Sequence, residues 1–89
     1  MIAAKPCRLE LNNSGAWKLL AKFDAANAED TDALMNAAES LAKAINDTSS
    51  GRKPGTSLRV ATDETSPVML TLWTHERGIW FDARTGEPV

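Results

Sequence analysis

The chain has 89 residues, 43% of them hydrophobic and 25% charged, which suits one small globular core and leaves no length for a second. Ten Lys plus Arg against twelve Asp plus Glu give a net charge of −2. A surface that is basic all over, as for bulk attraction to nucleic acid or anionic membrane, is excluded, whereas a local basic patch is not. One cysteine, one histidine and no tyrosine rule out an internal disulfide and a conventional zinc ligand set, and remove a common acid/base group.

Met1-Ile2-Ala3-Ala4-Lys5-Pro6 has no continuous apolar h-region, because Lys5 and Pro6 end the run, and no stretch approaches a transmembrane length. The expectation is a cytoplasmic protein. Cys7-Arg8-Leu9-Glu10-Leu11 alternates apolar and charged residues, the period-two pattern of a half-buried strand. Asn12-Asn13-Ser14-Gly15 supplies turn residues, and Trp17 to Phe23 resumes the alternation. Together these predict a β-hairpin.

Residues 28–46 are rich in Ala, Leu, Met, Glu and Lys, all strong helix formers. Asn27, Asp30 and Thr31 are candidate caps, and Glu29, Asp30 and Asp32 place negative charge at the positive helix end. Leu34, Ala38, Leu41 and Ile45 fall at i, i+4, i+7 and i+11, with Ala37 and Ala44 widening the stripe and Asn36, Glu39 and Lys43 opposite. Residues 46–56, polar and rich in Gly, Pro and Ser, predict a mobile loop. Short strands follow at 58–62, 68–74 and 79–82, joined by Asp63–Pro67 and by His75–Gly78. The termini, 1–6 and 84–89, are expected to fray.

The order ββαβββ predicts a single α+β domain over 1–89, a two-layer sandwich with one amphipathic helix on a mostly antiparallel sheet. Unbroken alternation would turn Cys7, Leu9, Leu11, Trp17, Leu19, Phe23, Leu58, Val60, Val68, Leu70, Leu72, Ile79 and Phe81 toward the helix. The open face would then hold Arg8, Glu10, Lys18, Leu20, Lys22, Arg59, Met69, Thr71, Trp73, His75, Trp80 and Asp82. A four-residue connection pairs Trp73 with Trp80, which sets two indoles on that face.

Such a pair has three readings: a cross-strand stabilising contact, the centre of a protein–protein or homodimer interface, or a stacking platform for single-stranded nucleic acid. The candidate interaction surface is Trp73, Trp80, Met69, His75, Arg59, Lys18 and Lys22. Glu10 and Asp82 on the same face, and the net negative charge, count against nucleic acid. Gly51-Arg52-Lys53-Pro54-Gly55 lacks phosphate-loop spacing and precedes a strand where a phosphate loop precedes a helix. His75 beside Glu76 reads as an exposed turn histidine, and Cys7 as a buried, inert thiol.

On Gly15-Ala16-Trp17-Lys18-Leu19-Leu20, the Ala-rich helix, and Leu70 to Gly78, the chain resembles small uncharacterised bacterial proteins. That resemblance implies no activity, cofactor or catalytic residue. The residues therefore predict a non-enzymatic interaction domain, without cofactor, metal or membrane association, that binds a protein partner or itself through the open sheet face or a strand edge. The alternative expectation is single-stranded nucleic-acid binding through the Trp pair.

Overall fold

The computed structural model of the protein describes residues 4–13, 15–48 and 55–89. Five strands and one helix follow in the order β1 (Pro6–Asn12), β2 (Trp17–Asp24), α1 (Ala28–Thr48), β3 (Ser57–Thr62), β4 (Met69–Thr74) and β5 (Trp80–Asp82). The strands form one antiparallel sheet in the order β2-β1-β3-β4-β5, and α1 packs on one of its faces. This is the expected α+β sandwich with ββαβββ order.

Asn27 caps the helix. Its Oδ1 accepts the Asp30 N–H at 3.1 Å and its carbonyl accepts the Thr31 N–H at 3.1 Å, which satisfies donors that would otherwise be orphaned at the first turn. Just upstream, Asp24 Oδ1 accepts the N–H groups of Lys5 and Ala26, so one carboxylate ties the start of β1 to the turn into α1. These charge-assisted bonds hold the Asp24 carboxyl below its ordinary range.

The helix meets the sheet through Ala38 and Ala42, both buried, with Leu34, Met35 and Ile45 half-buried beside them. This stripe is rotated from the expected one: Leu41 is 47% exposed, whereas Glu39 is half-buried and Asn46 is buried. The cause lies on the sheet. Trp73 fills the space under the helix, so small alanines belong above it, and its indole N–H needs an acceptor on the facing helix.

Two β-bulges correct the expected faces. Against β1, Leu9 pairs with Ala21 and Glu10 with Leu19, which leaves Leu20 unpaired. Against β3, Val60 pairs with Thr71 and Ala61 with Met69, which leaves Leu70 unpaired. Each extra residue inverts the alternation beyond it. Cys7, Leu9, Leu11, Phe23, Leu58 and Val60 face the helix as expected. Trp17, Leu19, Leu72 and Phe81, expected inward, lie on the outer face through their pairing with Asn12, Glu10, Arg59 and Leu72 respectively. Thr71, Trp73 and Trp80, expected outward, lie on the helix side.

The loop expected over 46–56 is shorter than its composition suggested. The helix runs on through Thr48, and Asn46 Oδ1 accepts the N–H of buried Thr56 at 3.2 Å; residues 49–54 lie outside the described residues. Residues 84–89, expected to fray, lie against β5. The Asp82 N–H donates to the Glu87 carbonyl, the Val89 N–H donates to the Trp80 carbonyl, and Phe81 bridges Pro88. Pro6 already belongs to β1, and residues 1–3 lie outside the described residues.

Candidate interaction surface

The expected register between β4 and β5 is present: Trp73 pairs with Trp80. Gly78, at φ 65°, allows the turn that produces it, with its N–H donating to the Thr74 carbonyl at 2.8 Å. The pair does not sit on the open face. Trp73 is only 1% exposed, packed among Leu58, Val60, Ala38 and Ala42, and its Nε1–H donates to Glu39 Oε1 at 3.0 Å. Trp80 is half-buried on the same side. The two indoles are therefore withdrawn from the candidate surface, because burying the larger ring outweighs burying Leu72.

The remaining candidates divide. Arg59, Met69 and Lys22 do lie on the outer face, by their pairing with Glu10, Ala61 and Arg8. Lys18 pairs with Leu11 and stands at the exposed β2 edge on the helix side. His75 is exposed beyond the end of β4, where Asn46 Nδ2 lies 3.2 Å from its Nδ1. Asn46 thus joins the β4 end to Thr56 at the entry to β3, which is a structural role.

What the outer face does present is a stacked aromatic–guanidinium pair that alternation alone hid. The Arg59 guanidinium lies 4.2 Å from the centre of the Trp17 ring. Its Nε–H donates to Glu10 Oε1 at 2.6 Å, and Glu10 is buried beneath it. Arg8 sits on the other side of Glu10, 3.9 Å from Glu10 Oε2 and 3.9 Å from Asp63, and Lys22 lies 3.5 Å from the same Asp63. A ladder of alternating charge, Lys22, Asp63, Arg8, Glu10 and Arg59, therefore crosses the sheet and ends on Trp17. At the far end of the face Arg77 lies 4.2 Å from the Phe81 ring centre, over a ring that also pairs with Leu72. Leu19 and Met69, 47% and 46% exposed, flank the centre.

Both sheet edges carry features that resist pairing with another chain. β2 has its bulge and the edge lysines Lys18 and Lys22, and β5 is three residues long with Pro88 bridged to it. Cys7 is buried, and burial pushes its thiol above the ordinary value, which suits an inert side chain. Among the described residues no group of three or more potential ligands could hold a metal ion, and no helix is long and apolar enough to cross a membrane. No protein-family model, curated protein or solved structure matches the chain.

Proposed function

We propose that the protein is a small non-enzymatic interaction domain of the cytoplasm that binds a protein partner through the outer sheet face, centred on Trp17 and Arg59. The observation that carries this reading is the Arg59–Trp17 stack, braced from below by Glu10, on a face that no helix covers among the described residues. Trp and Arg are the side chains that concentrate binding energy at interfaces, above all when they are held in place before contact. Arg59, Arg8 and Arg77 give the face cationic groups beside apolar ones, while the helix side carries Glu29, Asp30, Asp32 and Asp47. The matching partner surface is an apolar patch that packs against Trp17, Leu19 and Met69.

The single-stranded nucleic-acid reading has less support. Arg8, Arg59 and Lys22 already stand against Glu10 and Asp63, so few phosphate-neutralising charges remain free on this face. Light scattering over a concentration series, then affinity capture, tests the proposal. The expected result is a partner, foreign or a second copy, that wild type retains, Trp17→Asp loses and Leu41→Ser on the exposed helix side keeps. The reading fails if nothing distinguishes wild type from Trp17→Asp, or if only oligonucleotides quench the Trp17 fluorescence.

A further inference from the structure

On the opposite side of the sheet, between the first half of α1 and strands β4 and β5, lies a cleft of about 470 Å³, open to solvent. Its walls are apolar, from Phe23, Met35, Val60, Leu70 and Val89, and Asp32 and Asn36 stand among its lining residues from the exposed side of the helix. That volume falls within the range of small-molecule sites. Two of its lining residues, Thr71 and Trp80, carry polar atoms, Oγ1 and Nε1, that are buried and have no hydrogen-bond partner among the described residues.

The contrast with Trp73 is informative. The two indoles are cross-strand partners, yet Glu39 accepts from the N–H of Trp73 while none of the described residues accepts from that of Trp80. A buried donor without an acceptor is destabilising, and native folds leave few of them. An indole N–H only donates, and a threonine hydroxyl donates or accepts. A single carbonyl oxygen, with two lone pairs, has the capacity to accept from both.

We infer that this cleft is a binding site for a small uncharged molecule with an apolar body and a carbonyl-type acceptor, the acceptor directed at Thr71 Oγ1 and Trp80 Nε1. Both atoms are closed to solvent in the free protein, so the Thr71 and Trp80 side chains turn to open them to the cleft on binding. Asp32 in the lining disfavours a carboxylate in place of the neutral group. The site is separate from the outer face, so it stands or falls independently of the proposed protein contact.

Benzamide, benzoate and toluene serve as probes, each titrated to its solubility limit while the three indole N–H resonances are followed by NMR. Benzamide is expected to shift the Trp80 indole signal saturably and to leave those of Trp73 and Trp17 in place, with benzoate weaker. Thr71→Val is expected to raise the benzamide Kd about fivefold, the worth of one hydrogen bond, without weakening toluene. Its unchanged Trp73 indole signal reports an intact core. Met35→Trp, which fills the cleft, should abolish the response to all three probes. No saturable shift of Trp80, as for a cleft that holds only water, overturns the inference. So does a shift confined to Trp17, an equal effect of Thr71→Val on benzamide and toluene, or undiminished binding to Met35→Trp.

Discussion

Replacing Trp73 and Trp17 by alanine, one at a time, separates the two faces of the sheet by stability. Trp73 is 1% exposed and fills the space beneath Ala38 and Ala42. Those alanines are too small to collapse into the void, so Trp73→Ala falls in the range for a buried aromatic, about 3–5 kcal/mol. A domain of this length has roughly 4–13 kcal/mol in total, which puts the variant near its folding threshold. Trp17 is half-exposed, and its loss removes a cation–π contact of about 0.5–1 kcal/mol together with part of one ring's burial. With a urea dependence of about 1 kcal/mol per molar for so small a chain, Trp73→Ala should lower the unfolding midpoint by about 3 M or more. Trp17→Ala should lower it by about 1 M. Far-ultraviolet circular dichroism reads both, since each variant keeps the helix when folded. A Trp73→Ala midpoint within about 1 M of wild type would refute the assignment of Trp73 to the core.

Three further predictions follow from the polar contacts. Glu39→Ala leaves the buried Trp73 N–H without its acceptor and should cost about 1–2 kcal/mol, whereas Glu39→Gln keeps an acceptor oxygen and should stay within about 0.5 kcal/mol; urea titration distinguishes them. Arg59→Ala strands the buried Glu10 carboxylate and should cost about 3 kcal/mol, at the low end for such pairs because Arg8 remains 3.9 Å from it. Adding Glu10→Gln should restore part of that loss, and a double-mutant cycle showing no coupling would contradict the ladder. Finally, backbone N–H groups hold the Asp24 and Asp82 carboxyls below the ordinary value of 3.8. Their contribution is complete above that value and disappears as pH falls through the lower folded values. Thermal melts of Asp24→Asn and Asp82→Asn should therefore show a shallower loss of stability on acidification than wild type.

The elements were legible because each has a strong local signal. Residues 28–46 combine helix propensity with an Asn cap, and β1 and β3 alternate with little ambiguity, so their inward faces followed directly. Facing failed where a strand is apolar on both sides. In β4, Leu70 and Leu72 compete with Thr71 and Trp73, and either set satisfies a hydrophobic core pattern. In β2, Trp17, Leu19 and Leu20 raise the same conflict. A bulge decides each case, and it depends on the partner strand, through Glu10 opposite Leu19 and Ala61 opposite Met69. One signal was available. An indole buried under a helix requires an acceptor, and Glu39, next to Ala38 and about one turn before Ala42, could supply it, which argues for a stripe rotated toward Glu39.

The inversion also changes what an aromatic count means. Of three tryptophans, one is spent on the core, one lines a cleft with its N–H unpaired, and one lies on the outer face under a guanidinium. Composition treats them alike, but their polar atoms do not. The N–H of Trp73 finds a carboxylate inside the fold, so its role is complete without a second molecule. The N–H of Trp80 finds no acceptor among the described residues, and the Trp17 ring is held in place on a surface where that fixed position does little for the core. Both of these arrangements are more useful to a bound state than to the free one, since a preset side chain or a stranded donor contributes fully only once something is placed against it. Under the two proposals, the two faces of one sheet thus take different kinds of contact: a broad one on Trp17 and Arg59, and a narrow one at Thr71 and Trp80.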